Sequence, residues 1–306
     1  MWRSIIITQG EKVTLKDKWL VVESSECCNQ VPIDDIYSIV VDNRQCYLTV
    51  AAITALTNAG VHILYCDEKH QPVSVITSFN THYRPLNVIR KQLDLRDEFK
   101  DTLWQRVIKG KIENQAQVLK LQGRLAETIS HLLKYKDEVL VADKTNREGL
   151  AAKMYFRSLY GSEFIRMSDN CINSALNYGY AIIRSAVAKT LVAYGYNCVL
   201  GIHHISETNP FNLADDFMEP FRPIVDLWTD IHHEDLVDEL SSEHKKGLVN
   251  VLNTTVLCNG KNMKVRYAID KYISSFTSAI EKQDVNVLEI PKITKFTLNC
   301  GVTGDD

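Results

Sequence analysis

Residues 73–93 read VSVITSFNTHYRPLNVIRKQL, and within them the spacing of apolar residues changes from every second position to every third or fourth. Spacing of the first kind puts side chains on alternate faces of a strand; spacing of the second kind gathers them on one face of a helix. The segment from Ser78 to Leu86, with its Pro85, reads as the linker between the two regimes. The expected fold is therefore α+β in two domains: a small β-rich, sandwich-like domain over 1–80, a linker over 81–88 and a larger all-α domain over 89–306.

Working outward towards the start, short runs rich in β-branched residues predict strands at Ile5 to Thr8, Val13 to Leu15, Trp19 to Glu23, Ile36 to Val41, Val61 to Tyr65 and Val73 to Ile76. One helix, Thr49 to Ala59, interrupts them, and Gly60 suits its C-terminal end. Towards the other end, helices are predicted at 86–121, 123–136, 146–160, 170–195, 211–231, 233–254 and 263–282. Two short strand-like pieces, Cys198 to Ile202 and Thr255 to Leu257, fit loops or a hairpin. The tail after Phe296 is where any disorder is expected.

A chain of 306 residues with 45% hydrophobic and 24% charged content buries a core without difficulty. Its net charge of −3 is not that of a strongly basic nucleic-acid binder, but the charge is segregated. From His82 to Lys111 eight Lys or Arg face four acids, whereas from Glu207 to Leu240 ten acids face Arg222 alone. A phosphate-binding surface and two solvated helical faces both fit that pattern. Eight cysteines without a Cys-x-x-Cys read as reduced thiols of a cytoplasmic protein. Met1 to Gly10 is too short for a signal peptide, and no apolar run is long enough to span a membrane.

Chemistry concentrates in residues 201–226, GIHHISETNPFNLADDFMEPFRPIVD. Apolar spacing predicts a helix from Phe211, with Asn209 or Asn212 to cap it and Asp215, Asp216 and Glu219 close together on its surface. A hard divalent cation would relieve their repulsion; a solvated acidic face is the alternative. An extended Cys198 to His204 would turn His203 and His204 to opposite faces, and residue types alone do not rank them. Further upstream, Glu148 sits in the first turn of a helix, where it serves either a metal or the helix dipole. Lys153 and Arg157 make a basic stripe on that helix. Tyr178, Tyr180, Arg184 and Lys189 on the next helix suit either nucleic acid or a packed core. There is no Gly-rich phosphate loop, no Gly-x-Ser-x-Gly elbow and no cysteine singled out as a nucleophile.

Taken in order, REGLAAKMYF, SALNYGYAIIRSAVAKTLVAYGY, GIHH and NPFNLADDFMEPFRPIVD resemble the CRISPR-associated integrase of spacer acquisition, in the form found in type II systems. The resemblance covers essentially the whole chain. It implies a β domain joined to a helical domain, metal ligands at Glu148, His204 and Glu219, and Asp216 in an auxiliary acidic position. It implies Mg²⁺ or Mn²⁺ as cofactor, and double-stranded DNA as partner, both as a short foreign duplex and as the CRISPR leader and repeat. It further implies a homodimer paired through the β domains and a heterohexamer with the small second CRISPR-associated protein. The type II effector and a DNA-end-binding accessory protein are further partners of such systems. The expected reaction is transesterification, in which the 3′-hydroxyl of the incoming duplex attacks the repeat, so no protein nucleophile is required. Arg84, Arg90, Lys91, Lys153, Arg157, Tyr178 and Arg184 are the candidate DNA contacts. A stand-alone nuclease of branched DNA and a non-catalytic DNA-end scaffold are the rival readings.

Overall fold

The computed structural model describes residues 3–9, 12–25, 27–78 and 82–295. Residues 79–81 of the expected linker and the tail from Phe296 lie outside the described residues. The chain forms two compact units, one comprising the residues before Arg84 together with Ser241–Val249, the other the remainder.

In the first unit, β1 (Arg3–Ile7), β2 (Lys12–Lys16), β3 (Trp19–Glu23), β4 (Cys28–Pro32), β5 (Ile36–Val41), β6 (Tyr47–Leu48), α1 (Val50–Asn58), β7 (His62–Cys66) and β8 (Pro72–Ile76) follow in order. They build two four-stranded sheets, β1-β5-β7-β8 and β4-β3-β2-β6. Val13 and Leu20 from one sheet, Ile36, Ile39 and Ile63 from the other, and Leu56 from α1 are fully buried in one shared core. The sandwich-like expectation holds in that sense. β5 runs parallel to both β1 and β7 and is covered on both faces, which is why Ile36 to Val41 is almost unbroken hydrophobe rather than alternating. β4 and β6 were not foreseen: Cys28–Pro32 is mostly exposed and polar, and Tyr47–Leu48 is too short to show a period.

Ser241–Val249 lies inside the span expected to belong wholly to the helical domain, yet it clusters with the first unit. The buried Lys245 ammonium reaches Asp42 Oδ2 at 2.7 Å, and the other oxygen of Asp42 contacts His70 Nδ1, also at 2.7 Å. A buried lysine of this kind is held by its counter-ion, a long-range pairing that local spacing does not reveal.

The second unit contains α2 (Pro85–Leu93), α3 (Asp97–Leu121), α4 (Ala126–Glu138), α5 (Arg147–Tyr160), α6 (Cys171–Ala193), α7 (Asn212–Met218) and α8 (Arg222–Ile231). After α9 (Ser242–Asn250), which belongs to the first unit save for its last residue, β9 (Thr255–Cys258), β10 (Lys261–Lys264) and α10 (Val265–Lys282) complete the second. The helix expected at 86–121 is broken between α2 and α3, where Asp97 and Glu98 favour a fresh N-terminus. The helix expected at 211–231 is interrupted by a 3-10 turn, Glu219–Phe221, because Pro220 and Pro223 cannot donate to a continuous α ladder. Residues 233–241, the start of the helix expected at 233–254, form a turn followed by bends and irregular backbone; their run of acids is unfavourable at the C-terminal end of α8. β9 and β10 form the hairpin, turned by Asn259 and Gly260 at φ of 50° and 67°, whereas Cys198 to Ile202 is loop and not strand.

α3 is buried nearly all round, with Leu103, Trp104, Val107, Ile108 and Ile112 at its centre. Gly110 permits a close approach: a Cβ there would stand 2.3 Å from Ile290 Cγ2. Phe217 packs on Phe276 at 4.4 Å and on Tyr272 at 5.1 Å, anchoring α7 against α10. No helix among the described residues is long and apolar enough to cross a membrane.

Candidate metal centre

Glu148 is placed by the turn before it. Ala142, Asp143 and Asn146 all take positive φ, and the bend lets Asp143 accept the backbone N–H groups of Arg147 at 2.8 Å and Glu148 at 3.0 Å. Asn146 caps α5 by accepting from Gly149 N. With those orphan donors satisfied, the Glu148 side chain is free to point elsewhere.

It points at Lys111. The Lys111 ammonium lies 2.5 Å from Glu148 Oε1 and 2.5 Å from Glu219 Oε2, so carboxylates from α5 and from the 3-10 turn after α7 converge on one cation position. Glu219 is nearly fully buried, and Arg222 Nε holds its other oxygen at 2.8 Å. Burial alone would raise the Glu219 pKa, but Arg222 and Lys111 outweigh it and hold the carboxyl well below its ordinary value. Burial would lower Lys111, and Glu219 and Glu148 reverse that, holding it above the usual lysine value. Next to Glu219, Asn114 Nδ2 donates to the Pro220 carbonyl at 2.7 Å and so fixes the 3-10 turn against α3.

His204 comes from the 201–204 loop, and Asp216 builds that loop. Fully buried, Asp216 accepts Ile202 N at 2.6 Å, His203 N at 3.2 Å, His204 N at 3.0 Å and His204 Nδ1 at 2.7 Å. Gly201 admits this closure, because a Cβ there would meet the His204 carbonyl oxygen at 2.1 Å and Asp216 Oδ2 at 2.9 Å. With Nδ1 donating to Asp216, His204 keeps the lone pair of Nε2. The hydrogen bond to Asp216 raises the His204 pKa against the effect of burial, with Glu219 adding to the rise. His203 instead stacks on Trp104, ring centroids 4.1 Å apart and planes 5° from parallel.

The expected site residues thus divide. Glu148 and Glu219 meet at one cation, and His204 is electrostatically coupled to Glu219. Asp216 is spent on the loop and offers no face to the centre. The crowding of like charges expected for Asp215, Asp216 and Glu219 does not arise, because each has its own partners: Asp215 takes Asn209 Nδ2 at 2.7 Å and faces Arg184 at 4.0 Å. Neither Asn209 nor Asn212 caps α7. The N-cap position is Phe211, whose N–H goes to Asn209 Oδ1, while Asn212 ties Val199 and Ser206 together.

The donor set suits a hard cation. Two carboxylates and one neutral imidazole nitrogen match Mg²⁺ or Mn²⁺. Glu219 Oε2 is buried and in close ionic contact with the Lys111 ammonium. Among the described residues no three His, Cys, Asp or Glu side chains stand ready-made around a metal position. Lys111 lies between the carboxylates of Glu148 and Glu219.

Of the basic and aromatic candidates, Arg84, Arg90, Lys153 and Arg157 are exposed, and Lys91 is exposed and pairs with Glu281 at 3.4 Å. Lys153 and Arg157 line a groove of about 690 Å³ with Arg124, Tyr135, Leu150 and Met154. Arg184 is half-buried and stacks on Phe211 at 5.0 Å. Tyr178 corrects the expectation: it is fully buried, because that face of α6 also carries Ala175, Ile182 and Ala186, and it is inaccessible to a base. Lys111, Arg222, Trp104 and Asp143 went unassigned in the sequence. The available signal was Lys111, Asn114 and Gln115, polar positions that recur on the face of a helix whose other positions are apolar.

A family model described as CRISPR associated protein Cas1 matches residues 4–229. The chain is 37% identical over 295 residues to the CRISPR-associated endonuclease Cas1 of Neisseria meningitidis serogroup C (strain 8013), which covers 95% of this chain and 96% of that one. Among solved structures it resembles a casposase bound to integration product, with a TM-score of 0.75 at 19% identity over 96% of both chains. It also resembles a chain of a Cas6-RT-Cas1–Cas2 complex, with a TM-score of 0.74 at 18% identity, over 96% of this chain and 36% of that longer one. At such identities the structural likenesses speak to the fold.

Proposed function

The chain belongs to the Cas1 family of CRISPR-associated proteins, and from that premise we propose that it is a metal-dependent DNA integrase and endonuclease of CRISPR adaptation, joining the 3′-hydroxyl ends of short foreign duplexes to the CRISPR repeat by transesterification. The observation that carries the reading is the convergence of Glu148 and Glu219 on one cation position, with Glu219 in electrostatic reach of an imidazole whose tautomer Asp216 fixes.

Glu148, Glu219 and His204 Nε2 would hold the Mg²⁺ or Mn²⁺. When bound, such an ion lowers the pKa of an attacking hydroxyl and neutralises charge at the target phosphate. Asp216 holds the proton of His204 on Nδ1 and so leaves the lone pair on Nε2. Arg222, held by Glu219 and stacked over Tyr180 at 4.6 Å, fixes the Glu219 carboxylate so that little reorganisation remains for the reaction. With water in place of a hydroxyl the same residues serve hydrolysis, the activity carried in the name of the Neisseria relative. Double-stranded DNA, a second copy of this chain and the small Cas2 protein are the partners proposed; a Cas1–Cas2 assembly is named for one structural relative.

The test incubates the protein with a short duplex and a supercoiled plasmid carrying leader and repeat, with and without the small partner, and analyses the strands. Joined products support an integrase. Shortened strands alone assign a stand-alone nuclease, and DNA binding without any metal-dependent product assigns a scaffold.

A further inference from the structure

We propose that Lys111 is a built-in cation that occupies the metal position until a divalent ion and a DNA phosphate arrive together, so that metal and DNA bind with positive coupling through this one side chain. The proposal rests on the metal-site reading and adds to it a residue from α3, an element that supplies none of the three ligands.

The geometry leaves no room for both cations. Metal–oxygen bonds of about 2.1 Å to the carboxylates would put the ion where the ammonium now stands, 2.5 Å from one oxygen of each. Charge makes the same demand. Glu148 and Glu219 balance Lys111 and Arg222, so the cluster is neutral, and a divalent ion would leave two uncompensated positive charges in a place where Lys111 is only 11% and Glu219 only 4% exposed.

Of the two bases, Lys111 is the one able to yield. Arg222 holds the opposite oxygen of Glu219 and is pinned over the Tyr180 ring. Lys111 is a point charge on a flexible four-carbon stem, and no aromatic ring among the described residues is stacked on it. Displaced, it needs an anion within reach, and the backbone phosphates of bound DNA supply one. Without DNA, the ion must displace a well-paired buried ammonium that has nowhere favourable to go; with DNA, that cost falls. Linkage then requires that metal tighten DNA by the same factor. Such an arrangement restrains the hydrolytic activity of the centre until DNA is seated.

The experiment measures Mn²⁺ binding from the electron paramagnetic resonance signal of the free ion, with and without a short duplex. It uses wild type, Lys111→Met and Lys111→Gln, and takes Glu219→Gln plus duplex as the baseline for Mn²⁺ held by DNA itself. In wild type the duplex is expected to tighten Glu219-dependent binding about tenfold or more. In the Lys111 variants binding without duplex should already be about as tight as wild type with it, and the coupling should vanish. The variants should also unfold at a lower temperature alone and recover with Mn²⁺, since the two carboxylates then face each other unscreened. The proposal is overturned if wild type shows no duplex-dependent tightening, a result that does not depend on the variants folding. It is equally overturned if a Lys111 variant keeps the coupling. Binding undiminished in Glu219→Gln would instead remove the metal-site reading, and this proposal with it.

Discussion

Asp216 Oδ1 lies 2.7 Å from His204 Nδ1, and the same buried carboxylate accepts the backbone N–H groups of Ile202, His203 and His204. One side chain therefore fixes both the course of the loop and the tautomer of its imidazole. Asp216→Asn would turn an amide donor towards backbone donors. We expect a loss of about 2–4 kcal/mol in urea unfolding, because buried donors are left without an acceptor. Mn²⁺ affinity should fall about 10- to 100-fold, as for other outer partners of metal ligands. An unchanged unfolding midpoint would contradict this role.

The same pair sets a pH dependence. The hydrogen bond to Asp216 raises the His204 pKa above its ordinary 6.5. A proton on Nε2 excludes a metal, so Mn²⁺ binding and joining should decline with acidification from a point above pH 6.5, earlier than an unperturbed histidine would cause. The sign is opposite for stability without metal. A raised folded-state pKa makes the stabilisation from the His204–Asp216 pair complete below about pH 6.5, and that contribution is lost as pH rises through the raised value. In Asp216→Asn the acid limb of metal binding should move to lower pH. A limb that stays in place would disconnect Asp216 from the titration.

Gly201→Ala tests the loop without touching a charge. The added methyl would stand 2.1 Å from the His204 carbonyl oxygen, which is backbone and cannot swing away. We expect about 1–3 kcal/mol of destabilisation from overpacking and loss of Mn²⁺ binding through displacement of His204. Wild-type Mn²⁺ affinity in this variant would show that the loop is not the support described here.

How far the sequence could be read follows from the range of the interactions. The position of Glu148 in a first helical turn is legible because Asn146 and the apolar stripe lie within one short stretch, whereas its part in a metal site is implied only by the family resemblance. The change of period near Thr77 marked the division of the chain for the same reason. Lys111 was not legible as a site residue, since its partners are 37 and 108 positions away and its charge disappeared into a count of eight basic residues. Adjacent acids such as Asp215 and Asp216 suggest mutual repulsion, whereas the backbone amides of residues 202–204, which bind Asp216, lie 12 to 14 positions away and leave no local signal. Tyr178 failed for the opposite reason, because a helix buried on most faces presents the same residue types as one that offers aromatics to a ligand.

The exposed bases carry a prediction about salt. Neutralising Arg84, Arg90, Lys153 and Arg157 one at a time should weaken duplex binding at every sequence and lower the logarithmic salt slope by about 0.9 for each phosphate contact removed. Tyr178→Phe should leave binding unchanged, because its ring is inaccessible. A slope unaltered by all four substitutions would make these residues a solvated face.

The most direct measurement is the yield of joined strands from duplex and repeat-bearing plasmid across a Mn²⁺ series, for wild type, Glu148→Gln, Glu219→Gln, His204→Ala and His203→Gln. Both glutamate variants should lose joining by roughly a hundred- to a thousand-fold or more while still binding duplex, because charge stabilisation at the phosphate is removed and the apolar packing is kept. His204→Ala should be impaired and partly restored by higher Mn²⁺, and His203→Gln, which removes the stack on Trp104 and an edge contact with His204 but no proposed ligand, should retain most activity. Normal joining by Glu219→Gln, or Mn²⁺-responsive inactivity at His203 in place of His204, would contradict the metal centre.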